Sequence, residues 1–292
     1  IDVMPFAASV AACHLSLQSP EYFTDRVQIG IWDSTELKPG DVIPTIAGVR
    51  YVLRGQVGLE AFEGEQPKVK GIVKLSETER EERIKLDQYD VIIMNPPFTR
   101  QERIPEEYKV LLEDRFSEYK EQLHGQLGYY GYFILLADRF LKEGGRLALV
   151  LPATVLRVKS CEGIRKLLVN NYQIEFIITT WERSAFSESA QFREILLIAK
   201  KENLLTIKTD EKPCTVVLLR KLPKKLEEAR NIADKIKYIH SNYPIGKSYE
   251  DNVLSARLFN QNQLKEISSN MFILITLSNF DLLDLWLSLI HI

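Results

Sequence analysis

The tetrapeptide Asn95-Pro96-Pro97-Phe98 closes an apolar run, Tyr89-Asp90-Val91-Ile92-Ile93-Met94. Two consecutive prolines hold φ at about −65° and remove two N–H donors, so the carbonyls of that loop can face a ligand without competing donors. The Asn95 carboxamide oxygen and the Pro96 carbonyl can each accept one hydrogen of a substrate amino group. As those bonds form, lone-pair density on the nitrogen leaves conjugation and becomes available to attack an electrophilic methyl. No strong base is required, because the proton can leave after the methyl has moved. Phe98 supplies a ring for stacking on a planar base taken out of its duplex. A rigid turn closed by a core Phe is the plain structural alternative. The position directly after a strand-like run, with acids at two earlier strand exits, favours chemistry.

Those two acids are Asp2, after Ile1, and Asp33, after Val27-Gln28-Ile29-Gly30-Ile31-Trp32. In open α/β sheets, ligands bind beyond the carboxyl ends of the strands, so polar residues at strand exits are the ones to inspect. A carboxylate only accepts hydrogen bonds, which suits the paired hydroxyls of a ribose at Asp2, with Val3 covering one face of an adenine. Asp33, followed by Ser34, can accept from an adenine exocyclic amine. An acid at a strand exit is also an ordinary turn residue, and neither position identifies a ligand alone.

The elements that position these residues alternate between strand and helix. Pro5 suits the first position of a helix running to about Gln18, and Val27–Trp32 reads as a strand. Residues 39–86, broken by glycines, read as an insertion with a hairpin within Gly48–Leu59 and a charged helix at Glu77–Lys85. Tyr89–Met94 reads as a strand covered on both faces. Helices follow at about Glu106–Glu121 and Gly128–Lys142, the second stopped by Gly144-Gly145. Arg146–Leu151, Ile174–Thr180, Arg193–Lys200 and Thr215–Leu219 read as strands, with helices at about Ser160–Asn170 and Pro223–Ile239. The tail from His240 shows no clear organisation. The alternation predicts an α/β, doubly wound, mostly parallel sheet. Residues 1–222 form its core, and 223–292 begin a further region.

With 38 basic against 40 acidic side chains, the formal charge of −2 carries no whole-chain footprint of nucleic-acid binding. Cys13, Cys161 and Cys214 stand too far apart for a zinc or disulfide pattern, and His14, His124, His240 and His291 are equally scattered, so no metal is implied. The apolar stretch Phe272–Ile292 is interrupted by Asn279, Asp281 and Asp284, which a membrane span rarely tolerates. A soluble, cytoplasmic protein without membrane contact is the expectation. Ile1 opens as though a strand were already under way, which reads as an internal fragment, and Ser288–Ile292 resembles a translated adapter sequence.

From residue 1 to about 222 the chain resembles the amino-methyltransferases that act on adenine in DNA, particularly those of restriction-modification systems. The resemblance is carried by Asp2-Val3-Met4-Pro5, Trp32-Asp33-Ser34, Tyr89 through Phe98, Gly144-Gly145-Arg146 through Leu151-Pro152, and Phe186 through Lys200. It implies a Rossmann-like fold, S-adenosylmethionine as cofactor, and transfer of its methyl to N6 of a flipped adenine. Asp2 would then bind the cofactor ribose, Val3 its adenine ring, and Asp33 with Ser34 the adenine amine. Asn95, Pro96, Pro97 and Phe98 would bind and activate the target amine, and Phe186, chosen over Phe192, would cover the other face of the base. Double-stranded DNA is the implied partner, with a specificity or restriction subunit beside it, and 223–292 the start of a target-recognition region. The family commonly has an acid where this chain has Met4. The glycine-rich loop that seats the methionine part of the cofactor would precede Ile1, so the fragment alone is expected to be marginally stable and inactive. Similar loops occur in enzymes resembling ribosomal RNA base methylases and release-factor glutamine methylases, and a non-catalytic methylase-like subunit of a defence complex is a third reading.

Overall fold

A computed structural model describes residues 5–17, 28–46, 71–74, 83–99, 101–181, 193–202 and 211–276. The chain divides into two compact units, Ile1–Gln88 and Tyr89–Ile292.

In the first unit, helix α1 (Pro5–Leu17) starts on the proline whose missing N–H costs nothing at that position. Strand β1 (Gln28–Ile31) ends just before Trp32-Asp33. Strands β2 (Val42–Ile46), β3 (Gly71–Lys74) and β4 (Arg83–Lys85) join it in the order β1-β3-β2-β4. Ile29, Ile31, Ile43 and Ile72 are buried in this sheet. The end of the expected helix at Glu77–Lys85 is therefore strand. Arg83, Ile84 and Lys85 pair antiparallel with Pro44, Ile43 and Val42, and tertiary pairing outweighs local propensity there. The hairpin expected within Gly48–Leu59 lies outside the described residues.

The second unit is a seven-stranded sheet carrying helices. Its strands are β5 (Tyr89–Met94), β6 (Leu141–Pro152), β7 (Tyr172–Thr180), β8 (Glu194–Lys201), β9 (Pro213–Leu219), β10 (Ser248–Glu250) and β11 (Leu254–Asn260), in the order β10-β11-β9-β7-β8-β6-β5. Strand β5 is parallel to β6 and β7 to β9, whereas β8 runs antiparallel between β6 and β7, and β11 antiparallel between β9 and β10. Five strands therefore share one direction and two are reversed. The carboxyl ends of β5, β6, β7 and β9 line a single edge.

Helices α2 (Glu106–Arg115) and α3 (Tyr129–Phe140) follow β5, α4 (Glu162–Asn171) precedes β7, and α5 (Leu226–Asn242) precedes β10. The short helices α6 (Gln261–Glu266) and α7 (Ile273–Thr276) follow β11. Ile236 and Ile239 of α5 pack with Ile178, Val217, Leu219, Leu254, Ala256 and Leu258 in one apolar cluster. From His240 to Thr276 the chain is thus organised, where its sequence shows no clear pattern. Leu254–Phe259 is buried at every position, so β11 shows no alternation for a sequence pattern to detect, and α6 is fixed by a capping box between Asn260 and Gln263.

Two further differences concern β5 and β6. Strand β5 has its expected bounds but stands at the edge of the sheet formed by the described residues, where Val91 and Ile93 are 59% and 77% exposed rather than covered on both faces. Helix α3 ends at Phe140, before Gly144-Gly145, and those glycines lie inside β6. Between the pairs Tyr89↔Leu141 and Val91↔Arg146 the register shifts, Gly144 takes φ +78, and a Cβ on Gly145 would meet the Asp90 carbonyl at 2.9 Å. The glycines therefore make a bulge rather than a helix stop.

Candidate active site

Strand β5 delivers Asn95 at the carboxyl edge of its sheet. Asn95 is exposed, Pro96 buried, Pro97 exposed and Phe98 half-buried, so one proline anchors the loop while the carboxamide stays accessible. The loop exit is held by the start of α3, where the Tyr129 N–H donates to the Thr99 carbonyl at 3.4 Å. Gly128, in extended backbone just before α3, makes that approach possible. A Cβ there would lie 3.2 Å from the Thr99 oxygen and 2.9 Å from Cε1 of Tyr130.

The Tyr130 ring cannot swing aside freely, because its hydroxyl meets Cys161 Sγ at 3.5 Å. Burial, then the neighbouring thiol, push the Tyr130 phenol well above its ordinary range, and burial likewise raises Cys161. The pair is therefore un-ionised at neutral pH and acts as a packed hydrogen-bonded contact rather than a nucleophile. Tyr129 packs its ring 5.9 Å from that of Tyr108 on α2. The sequence reading saw only a helix start at Gly128. Its contact with Thr99, 29 positions away, leaves no mark in local pattern.

Further from the loop, α3 ends in a buried polar network. Asp138 accepts from the Tyr119 hydroxyl at 2.8 Å and the Tyr172 hydroxyl at 2.6 Å, and its Oδ1 lies 3.0 Å from Lys201 Nζ. Burial first, then the Asp138 charge, hold both phenols far above their usual range. Arg165 on α4, 2% exposed, donates to the carbonyls of Val155, Val158, Ser268 and Ser269, binding the turn after β6 to the segment after α6. These contacts fix the helices behind the loop.

In the first unit, Asp33 follows β1 and caps the short turn Ser34–Glu36. Its Oδ1 accepts from the Thr35 N–H at 3.1 Å and the Thr35 hydroxyl at 2.8 Å. The carboxylate and Ser34 are half-buried, and the Trp32 indole N–H donates to Glu36 at 2.9 Å. An oriented carboxylate beside a hydroxyl at a strand exit fits the polar edge of an adenine, since a carboxylate can accept about four hydrogen bonds. Asp33 and Ser34 are thus brought together in the first unit, and Asn95 through Phe98 in the second. Asp2, Val3 and Phe186 lie outside the described residues. Among the described residues no cluster of His, Cys, Asp or Glu could hold a metal, and no helix is long and apolar enough to cross a membrane.

A mixed α/β sheet with helices packed on it and a polar loop at a strand exit is a Rossmann-like architecture. Residues 1–186, well over half of the sequence, match the Eco57I restriction-modification methylase family, and the chain is a member of it. Type II methyltransferase M.HincII of Haemophilus influenzae is 34% identical over 117 residues, 40% of this chain and 23% of that protein. The type II restriction enzyme and methyltransferase RM.Eco57I of Escherichia coli is 30% identical over 120 residues, 40% of this chain and 11% of that protein. The chain therefore spans less than a quarter of these relatives. Among solved structures, it is similar to the type IIG restriction endonuclease BpuSI, with a TM-score of 0.49 and 17% identity over 70% of this chain and 22% of that one.

Proposed function

We propose that the protein is a DNA adenine N6-methyltransferase of a restriction-modification system. The observation that carries this reading is the exposed Asn95 carboxamide on a proline-stiffened loop at the carboxyl edge of the sheet. S-adenosylmethionine, when bound, supplies an electrophilic methyl group. Asn95 Oδ1 and the Pro96 carbonyl accept the two hydrogens of the target amine and hold its nitrogen for in-line attack. Phe98, half-buried, presents the rest of its ring to a base flipped from the duplex. The new N–C bond would form as the methyl's bond to the cofactor sulfur breaks, leaving a neutral thioether, and the surplus proton would then pass to solvent. Phe186 covers the opposite face of the base in this reading.

Asp2 and Val3 hold the ribose and one face of the cofactor adenine, and Asp33 with Ser34 the adenine amine. Thr35 supports this by fixing the Asp33 carboxylate through two hydrogen bonds. The core is assigned to residues 1–222, and target recognition begins within 223–292. The protein works in the cytoplasm on double-stranded DNA, beside a specificity or restriction subunit.

Incubating the intact protein with methyl-labelled S-adenosylmethionine and, separately, duplex DNA, ribosomal RNA and protein tests the substrate. Label enters DNA on this reading. Label confined to RNA or protein contradicts it.

A further inference from the structure

The strand directions place five strand exits along the edge that carries Asn95, that of β10 ending in Glu250 and Asp251 and that of β9 in a run of cations. At the far edge, several cations are matched within the chain: Lys142 with Asp90 at 3.0 Å, Lys201 with Asp138 at 3.0 Å, and Lys200 and Lys212 with Glu202. At the exit of β9 stand Arg220, Lys221, Lys224 and Lys225 within six residues. The three lysines are exposed, and none has an ion pair among the described residues. Their acidic neighbours are Glu227, Glu228, whose carboxylate accepts the Lys224 backbone N–H at 2.8 Å, and Glu250, which pairs with Arg220.

This loop is held in shape. Leu222 and Pro223 sit in the apolar groove between α5 and the sheet, lined also by Ile178, Leu196 and Ile232. Arg220 lies over the Trp181 ring at 5.4 Å, and the Trp181 N–H donates to the Leu219 carbonyl at 2.7 Å, locking the β7 and β9 exits together. Trp181 is nevertheless 40% exposed. Three strand spacings, about 14 Å, separate β7 from β5, too far for Trp181 to sandwich a base already stacked on Phe98.

We infer that Lys221, Lys224 and Lys225, with Trp181 and Arg220 beneath them, form a track for the sugar-phosphate backbone of duplex DNA flanking the target base. The inference rests on the DNA reading above and adds to it the residues that grip the duplex. Strand β9 stands four spacings, about 19 Å, from β5. At about 3.4 Å per base pair, the track meets phosphates roughly five to six base pairs from the flipped adenine. Such contacts position the duplex and carry no sequence information.

The test is the salt dependence of duplex binding by the intact protein and its Lys221→Gln/Lys224→Gln/Lys225→Gln variant, followed by fluorescence anisotropy from 0.05 to 0.2 M salt. Each phosphate contact contributes about 0.9 to the slope of log K against log salt, so the variant should lose about 2 to 3 from that slope. Over this range the wild type should then weaken about 40-fold more than the variant. The triple Arg variant should keep the wild-type slope. Equal slopes for the wild type and the Gln variant, in a protein that still methylates DNA, overturn the track and leave the methyltransferase reading standing. A wild-type protein that neither binds nor methylates duplex DNA overturns the reading itself.

Discussion

Gly128 offers a test of how the loop is held. Its backbone sits at φ −76, ψ 166, which alanine adopts readily, so Gly128→Ala perturbs by volume rather than by strain. The added Cβ would stand 2.9 Å and 3.3 Å from Cε1 and Cδ1 of Tyr130 and 3.2 Å from the Thr99 oxygen. Cys161 pins the tyrosine ring through its hydroxyl, so the Thr99 carbonyl must give by a few tenths of an ångström. A misplacement of about 1 Å at a reacting group costs about 100-fold in rate, and a few tenths therefore correspond to about four- to tenfold. Single-turnover methyl transfer by the intact variant should fall by that factor. Cofactor affinity should stay unchanged, and thermal stability should drop by no more than the fraction of a kcal/mol to about 1 kcal/mol of a changed helix cap. Wild-type single-turnover rates in Gly128→Ala would refute the idea that this contact sets the loop.

Asn95→Ala removes one oriented acceptor and should lower turnover by roughly two to three orders of magnitude with near-normal cofactor binding, measured by steady-state kinetics and calorimetry. Asp138→Asn strips the counter-charge from Lys201 and turns one acceptor toward a phenol into a donor; urea unfolding should show a loss of roughly 3 kcal/mol, and a loss under about 0.5 kcal/mol would mean the network is not structural. His240 accepts from or donates to Thr215 at 2.8 Å with its ring 4.6 Å from Phe176, and burial lowers its pKa. The unfolded chain then takes up the proton first, so stability should fall as pH drops below about 6.5, and His240→Gln should flatten that slope between pH 7 and 5 in unfolding titrations.

The parts of this protein that can be read from sequence are those whose signal is local. Tyr89–Met94 announces a strand by its continuous apolar run, and the double proline after it announces a stiff exit whatever the tertiary setting. Asp33 is found by the same logic, as the first polar side chain near the end of β1. Partnership across distance is less legible. Ile84 becomes strand because Ile43 is there to pair with it, and Gly145 is a bulge residue because Asp90 passes beneath it. Gly128 looks like an ordinary helix boundary until Thr99 is placed against it. The near-neutral total charge hid the lysines clustered after β9, because a whole-chain count carries no information about where on the surface each charge lies.

The most direct measurement of the central claim is the chemical identity of the methylated product. DNA treated with the intact protein and S-adenosylmethionine, digested to nucleosides and resolved by mass spectrometry, should contain N6-methyladenine, and Asn95→Ala should reduce it to near background. Methyl groups found on cytosine, or N6-methyladenine formed undiminished by the Asn95 variant, would contradict the account.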